Sequence, residues 1–175
     1  MIQIGQPNPT IDTPIEHLTA CHRRIEERLA TLERAGDHLR QDRGAALDAI
    51  RSSIRFLDSS GALHTMDEEA SLFPRLRPRL SREELAYVDS LEEQHDEAES
   101  VFADLKDVAA QLTATSGNAA VLEGRYRQLA SRLGDLYRSH IRSEDEILSK
   151  LARRLIDPDQ LKAISEEMRS RRAKK

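Results

Sequence analysis

The sequence predicts an all-α fold, an up-down-up-down antiparallel four-helix bundle with a short C-terminal fifth helix. Three observations favour this fold. Of the 175 residues, 33% are charged and 3% are aromatic, Trp is absent and there are seven Gly, which is typical of helices rather than sandwiches or barrels. Four long stretches carry apolar residues at helical spacing. Their connections are short and polar, so neighbouring helices should pack antiparallel around a single core.

The first two helices have clear boundary signals. Thr13 is an N-cap whose capping box closes on Glu16, and Gly36 ends the apolar stretch that follows. A second apolar stretch extends from about residue 44 to residue 73, where Pro74 prevents easy continuation. These signals predict helices one and two.

Three further helices follow along the chain. Ser81 and Glu84 form a second capping box that opens helix three, and the break at residues 116–117 ends it. Helix four begins near Asn118. Asp157 is the predicted N-cap of the short fifth helix.

The sequence predicts one domain with a short segment on either side. Residues 1–12 form an N-terminal extension, residues 13–156 form the four-helix bundle, and residues 157–175 form the short C-terminal helix and a basic tail. We interpret the cations of that tail as partners of the negative end of a helix dipole rather than as a recognition tail. They are Arg169, Arg171, Arg172, Lys174 and Lys175.

Charge, hydropathy and cysteine content exclude several classes of partner. The formal charge of −4 is small and spread along the chain, so we expect no nucleic-acid partner. No apolar run approaches the roughly 20 residues that cross a bilayer, and the N-terminus carries neither a basic leader nor a long apolar stretch, so we expect no membrane partner. Cys21 has no second cysteine to pair with, and we expect a semi-buried structural thiol in a reducing compartment. The expected location is cytoplasmic, and the sequence leaves the oligomeric state open.

Four of the six histidines fall on the apolar stripes, one in each of the four main helices. Because a helix buries the side that it shares with its hydrophobic residues, these imidazoles should point into the bundle. The four are His22, His64, His95 and His140. His17 and His38 lie off the stripes, and we expect ordinary surface histidines there.

A glutamate follows each of these four histidines after four residues. The pairs are His22 and Glu26, His64 and Glu68, His95 and Glu99, and His140 and Glu144. Residues four apart lie on one helix face, and a carboxylate on the buried face is costly unless it is paired or bound to a metal. A single histidine on an apolar face is more often a hydrogen-bonded core residue. Four pairs, one per helix, favour a metal site.

The residue types favour iron over zinc or manganese. Imidazole suits iron, zinc and copper, whereas bridging carboxylates favour harder ions of higher valence. Six or more side chains are too many for one tetrahedral zinc but suit two ions linked by carboxylates and solvent oxygen. The expected cofactor is therefore two iron ions in an oxo- or hydroxo-bridged, non-haem di-iron centre.

At these residues the chain resembles the hemerythrin-like, or HHE cation-binding, family, a four-helix bundle around a non-haem di-iron centre. The resemblance covers roughly residues 13–155. The motifs that carry it are ACHRRIEERLATLE around His22, LHTMDEEASLFPRL around His64 and Glu68, LEEQHDEAE around His95, and YRSHIRSEDEIL around His140 and Glu144. The order H, HxxxE, H, HxxxE is the arrangement of that family.

The resemblance implies a set of six metal ligands and no separate catalytic residue. The implied terminal nitrogen ligands are His22, His64, His95 and His140, and the implied bridging carboxylates are Glu68 and Glu144. Oxygen-carrying hemerythrins have a further histidine one turn after the third-helix ligand, where this chain has Glu99. Glu99 is therefore open as an additional ligand or as a group beside the ligands, and reversible oxygen carriage is in doubt.

Other acidic residues lie next to the implied ligands. Asp145 competes with Glu144 for the last carboxylate position, and the four-residue spacing from His140 favours Glu144. Glu26 is left out of the ligand set, because a carboxylate at that place is more often solvated or paired with a nearby Arg. The remaining two are expected to face solvent. They are Glu69 and Glu146.

The resemblance and the ligand chemistry together predict a protein that binds or reduces a small oxidant. Dioxygen, peroxide and nitric oxide are the expected small-molecule partners, and the protein would act as a sensor or consume the oxidant. Whether it is an enzyme is left open; an activity would reduce peroxide or oxygen at the di-iron centre. One alternative is iron handling or iron–sulfur cluster repair, to which some similar proteins are linked. The other is a metal-free helical interaction protein.

Overall fold

The structure, a computed structural model, describes residues 10–114 and 119–173, and all regular secondary structure in these ranges is helical. The all-α class is therefore confirmed. Some predicted features lie outside the described residues: residues 1–9 of the extension, the break at residues 116–117, the helix start near Asn118, and Lys174 and Lys175. Within the described ranges, no helix combines the length and the apolar character that a membrane span requires.

The helices form four rods and a C-terminal helix. The first rod is α1 (Pro14–His38). The second rod consists of α2 (Arg43–Phe56), α3 (Ala62–Asp67) and α4 (Phe73–Leu76), joined by π-helical turns at Leu57–Gly61 and Glu68–Leu72 and followed by a 3₁₀ turn at Arg77–Arg79. The third rod is α5 (Arg82–Ala114). The fourth rod consists of α6 (Ala119–Ser143), a π-helical turn at Glu144–Leu148 and α7 (Ser149–Leu155), and α8 (Pro158–Ala173) follows it.

Two of the predicted helix caps are confirmed. The Ser81 amide donates to Glu84 Oε2 at 2.8 Å, and the Glu84 amide donates to Ser81 Oγ at 3.2 Å. These two bonds are the reciprocal pair of a capping box at the start of α5. The Gln160 amide donates to Asp157 Oδ1 at 2.9 Å, which caps α8.

The predicted start of α1 is confirmed, since Thr13 is its N-cap residue and Pro14 its first residue, but the predicted capping box and the predicted end at Gly36 are wrong. The Thr13 side chain makes no cap hydrogen bond, and its hydroxyl donates to the Thr10 carbonyl at 3.2 Å instead. Gly36 does not end α1, which continues past it. A Cβ at Gly36 would lie 3.0 Å from Tyr126 Cε1 and 3.1 Å from Arg127 Cγ, so this glycine allows α1 and α6 to approach closely.

Packing between the rods places them around a common interior. Helix α1 packs against α2 and α6, α5 packs against α6, and α5 also contacts α2. Helix α8 contacts α1, α3 and the π-helical turn at Glu68–Leu72. Its Ile164 and Met168 are fully buried, so α8 is part of the hydrophobic core.

The apolar core consists of two clusters with a polar layer between them. On α1, Leu18 belongs to one cluster and Ile25 to the other, and His22 lies between them in the sequence. On α5, Leu91 and Ala98 flank His95 in the same way. His64, Glu68, His140 and Glu144 occupy the corresponding stretch of the second and fourth rods. We call these six buried residues, His22, His64, Glu68, His95, His140 and Glu144, the polar layer.

Candidate metal centre

Each rod contributes one histidine to the polar layer, and the second and fourth rods each add a glutamate. All six side chains are almost completely removed from solvent. The exposed fractions are 3% for His22 and His64, 1% for Glu68, 8% for His95, 5% for His140 and 2% for Glu144. The sequence predicts that these six residues lie in the interior, and the structure brings them together there.

One half of the layer is built by the first and second rods. Nε2 of His22 and Nε2 of His64 are 3.2 Å apart. Glu68 Oε1 lies 3.3 Å from Nε2 of His64, and Glu144 Oε2 lies 3.1 Å from Nε2 of His22. Ligand atoms from these four residues all lie within 4.8 Å of one another.

The other half is built by the third and fourth rods. Nε2 of His95 and Nε2 of His140 are 2.9 Å apart. Glu144 Oε2 lies 3.2 Å from Nε2 of His140, and Glu68 Oε2 lies 3.7 Å from Nε2 of His95. These four residues form a second group whose ligand atoms lie within 4.8 Å of one another.

Glu68 and Glu144 belong to both groups. Glu68 directs Oε1 toward His64 and Oε2 toward His95, while Oε2 of Glu144 lies near His22 and His140 alike. A carboxylate in this position can bridge two cations. Each half then offers two imidazole nitrogens and two carboxylate groups, a mixed donor set that suits iron.

Several buried polar atoms of the layer have no hydrogen-bond partner among the described residues. They are His64 Nδ1, Glu68 Oε2, Glu144 Oε1 and Glu144 Oε2. A buried polar atom left without a partner costs about 1–3 kcal/mol. Three of the four are carboxylate oxygens in the shared position, and metal ions between the histidines would supply them with partners. The residues present therefore fit a pair of cations.

Burial and charge shift the pKa values within the layer. Burial alone would lower the pKa of His22, but the carboxylates of Glu144 and Glu68, which lie 3.1 Å and 3.9 Å from its Nε2, raise it to about 11. Burial and the nearby charge of His22 lower the pKa of His64. Burial and the charge of Glu144 raise the pKa of Glu68. Without metal, His22 is therefore protonated, and its positive charge lies beside the carboxylates that would otherwise bind a metal ion.

Three of the four imidazoles have their outer nitrogen fixed by a neighbouring side chain. A partner at Nδ1 orients the ring and leaves the Nε2 lone pair facing the interior, as metal-binding histidines require. The pairs are His22 Nδ1 with Asp145 Oδ1 at 2.8 Å, His95 Nδ1 with Glu69 Oε1 at 2.7 Å, and His140 Nδ1 with Gln94 Oε1 at 3.0 Å.

Both shared glutamates are the first residues of π-helical turns. Glu68 begins the turn Glu68–Leu72, and Glu144 begins the turn Glu144–Leu148. A π-helical turn inserts one extra residue into the helical repeat, and such turns occur frequently at functional sites. In each turn the first carboxylate enters the polar layer and the second bonds a histidine of another rod.

The structure separates the competing acidic residues. Glu144 lies in both groups, whereas Asp145 contacts the outer nitrogen of His22. Glu99 and Glu26 are exposed and belong to neither group. That the six residues of the polar layer bind metal stays a prediction; their geometry distinguishes them from these three carboxylates.

Three expectations about neighbouring residues are wrong. Glu69 does not simply face solvent, since it accepts a hydrogen bond from His95. His17 is half-buried rather than on the surface. Cys21 is buried rather than semi-buried, and Arg24 Nη2 donates to its Sγ at 2.8 Å. The residues that do face solvent as expected are His38 and Glu146.

The sequence analysis did not predict a buried ion-pair network that lies next to Glu68. Asp67 is fully buried, and its two carboxylate oxygens accept from Arg171 Nη1 and Arg172 Nη2, each at 2.7 Å. The two arginines lie in the last turn of α8, as the dipole interpretation expects, but the sequence did not predict that they also pair with Asp67. A signal existed in the sequence, because Asp67 shares a helix face with His64 and so had to be buried.

Comparison with known protein families gives one match. A family model described as the hemerythrin HHE cation-binding domain matches residues 13–152. The matched range begins just before α1, ends within α7 and contains all six residues of the polar layer. A search of curated proteins finds no match to this chain.

Proposed function

The chain belongs to the hemerythrin HHE cation-binding domain family, and from this premise we propose that it holds two iron ions that bind or reduce a small oxidant. The oxidant would be dioxygen, peroxide or nitric oxide, and the protein would act as a sensor or would consume it. The observation that carries the proposal is the position of Glu68 and Glu144, each shared between two pairs of histidines.

The residues have separate roles in this proposal. His22 and His64 would hold one ion, His95 and His140 the other, and the two shared glutamates would bridge them. Reduced iron would supply electrons and a coordination position for the oxidant. The protein's own residues orient the imidazoles, exclude water and keep the two carboxylates without competing hydrogen bonds.

The mixture of donors favours oxidation over reversible oxygen carriage. Anionic oxygen donors stabilise ferric iron relative to ferrous iron. The position one turn after His95 holds the exposed carboxylate Glu99, where oxygen-carrying relatives have an additional imidazole. We therefore expect rapid oxidation in air and no long-lived oxygen adduct.

Three further features belong to the same proposal. The up-down-up-down order of the four rods is supported by the contacts of α1 with α2 and α6 and of α5 with α6. We also propose a cytoplasmic location and domain boundaries at residues 13–156.

The proposal is tested with iron-loaded protein that is reduced without air and then mixed with hydrogen peroxide or dioxygen. We expect ferric charge-transfer absorption to appear within seconds and not to reverse on removal of oxygen. A variant with His64→Ala and Glu68→Ala should lose both iron and absorption, while Glu26→Ala, at an exposed position four residues after a histidine, should keep both. A stable adduct that releases oxygen over many cycles would contradict the proposal, as would iron retention in the double variant.

A further inference from the structure

A cavity of about 330 Å³ leads from the surface to one half of the polar layer. It lies between the second rod and α5, and its wall includes Gly61, Ala62, Phe102 and Ala103. At its inner end it meets His95 and Tyr137. Of the six residues of the polar layer, His95 is the one that lines this cavity.

The His22–His64 half has almost no free space beside it. The cavity on that side measures about 20 Å³, which is too small for anything larger than a water molecule. Its apolar wall comes from the second core cluster, with contributions from Leu18, Leu72 and Leu148. The two halves have matching donor sets, but the larger of these two cavities borders His95 and the smaller borders His22.

Tyr137 lines the cavity and also contacts His140. Its ring lies edge-on to His140, with ring centroids 6.4 Å apart. The inner end of the cavity therefore presents a phenol and an imidazole.

The rim of the cavity is acidic. Asp58, Glu69, Asp96 and Glu99 line it, and the one lysine of the lining, Lys106, is paired with Asp58 at 2.8 Å. Glu69 is bonded to His95, whereas Asp96 and Glu99 have no cationic partner among the lining residues. Negative charges around the opening of a cavity lower the local concentration of anions and do not affect uncharged molecules.

We propose that this cavity is the path by which small uncharged oxidants, of the class of dioxygen and hydrogen peroxide, reach the His95–His140 half of the centre. Anions of similar size, such as azide, are held back at the rim. The fate of the oxidant rests on the function proposed above, whereas the path itself depends only on the cavity, its charge and the packing of the opposite half.

The path is tested by NMR through the paramagnetic relaxation that dissolved dioxygen causes in nearby nuclei. The measurement uses metal-free and zinc-loaded protein, so it does not require iron or turnover. We expect strong relaxation of the ring protons of His95, Phe102 and Tyr137, and weak relaxation at His22. Equal relaxation at His22 and His95 would overturn the proposal.

Filling the cavity gives the second arm of the test. Ala103→Trp and, from the opposite wall, Ala62→Trp place an indole at exposed positions of the lining. Either variant should reduce the relaxation at His95 and Tyr137 several-fold. Ala110→Trp, an exposed position two turns further along α5 and outside the cavity, is the matched control and should not. Unchanged relaxation in both filled variants would also overturn the proposal.

The role of the rim charge is tested with azide binding to ferric protein, followed by absorption at low ionic strength. Asp96→Asn with Glu99→Gln should raise the association rate several-fold, and added salt should reduce the difference. Asp104→Asn with Asp107→Asn, exposed on the same helix outside the cavity, should have no such effect. Equal rates in the two double variants would overturn the charge selection. Failure to load iron would contradict the proposed function and leave the relaxation result standing as the test of the path.

Discussion

In two pairs of adjacent acidic residues, one member lies inside the polar layer and the other lies next to it. Glu68 and Glu144 are buried inside it, while their chain neighbours Glu69 and Asp145 hydrogen-bond the outer nitrogens of His95 and His22. Glu69 and Asp145 thus each hydrogen-bond a histidine that belongs to a rod other than their own. Residues that hydrogen-bond a metal-binding histidine fix its ring and raise its basicity. The second acid of each pair therefore orients a candidate ligand and belongs to neither candidate metal group.

This division predicts the effect of neutralising the outer acids. Asp145→Asn or Glu69→Gln should weaken metal binding by about 10–100-fold, because the imidazole loses its charged partner. Affinity for zinc, measured by competition with a chelator, gives the result. Glu146→Gln changes an exposed acid of the same turn and should leave the affinity unchanged. If all three variants bound zinc equally well, the outer carboxylates would have no such role.

Proton release should accompany metal binding. The metal-free layer keeps a proton on His22, whose pKa is raised to about 11, and a metal ion at Nε2 must displace that proton. Since the competing proton is bound below this pKa, apparent metal affinity should rise as pH rises through the neutral range. Calorimetric zinc titrations at pH 7, in two buffers with different protonation enthalpies, measure the release. We expect at least one proton per chain, and none would contradict an imidazolium at His22.

The sequence was sufficient to find the six residues of the layer but not all their partners. Helical spacing fixes which residues share a face, so four His on apolar stripes had to point inward. It does not fix which side chain of another rod each imidazole meets. Glu69 was expected to face solvent, but its contact with His95 depends on how the rods pack.

At the scale of elements, α8 is bonded to the segment of the second rod that carries Glu68. Arg171 and Arg172 both bond the buried Asp67, the residue just before Glu68, and Arg171 Nη2 also donates to Ser71 Oγ at 2.5 Å. Arg75 Nη2 donates to Glu167 Oε1 at 2.7 Å, a second link between the second rod and α8. The π-helical turn Glu68–Leu72 is thus held from outside the four rods.

Removing the two arginines should destabilise the protein strongly. Arg171→Gln with Arg172→Gln leaves the Asp67 carboxylate buried without a cation, which costs about 3–5 kcal/mol of unfolding free energy. Arg169→Gln removes an exposed cation of the same helix and should cost less than about 1 kcal/mol. Urea unfolding of metal-free protein measures both.

A third variant identifies the cause of that loss. Adding Asp67→Asn to the double variant removes the unpaired charge and should recover part of the stability. If the double variant unfolded like the wild type, the network would have no structural role. If the third substitution lowered stability further, the buried charge would not be the cause.

Two glycines of neighbouring helices should respond in opposite ways to alanine. At Gly36 the added Cβ would lie 3.0 Å from the fully buried Tyr126, so we expect Gly36→Ala to destabilise the protein by about 1–3 kcal/mol. At Gly124 no atom lies within 4 Å of the added Cβ, and Gly124→Ala should stabilise α6 by about 0.5–1 kcal/mol. Thermal unfolding gives both signs, and stabilisation at both positions would contradict the close approach of α1 and α6.

Helix boundaries show where local signals fail at this scale. The Ser81–Glu84 capping box is confirmed because both of its bonds are local. Gly36 was interpreted as a helix end from its residue type alone, but a glycine also serves where two helices approach closely. The α1–α6 approach involves residues 90 positions apart in the sequence, and no window around Gly36 contains that information.

Across the whole molecule, the polar layer interrupts what would otherwise be one apolar core. Each rod carries apolar residues on both sides of its histidine, and the two clusters share no residue. Buried polar groups in such a layer are costly without partners, so metal ions would stabilise the folded state by mass action. The all-α class followed from composition and spacing, whereas the difference in access between the two halves depended on the packing of all four rods.

The most direct measurement of the central claim is the number of ferrous ions that the metal-free protein binds under anaerobic equilibrium dialysis. Two shared carboxylates between two histidine pairs predict saturation at two ions per chain, with loss of binding when His64 and Glu68 are replaced by alanine. A folded protein that binds no iron, or that saturates at one ion, would contradict a centre built on shared carboxylates.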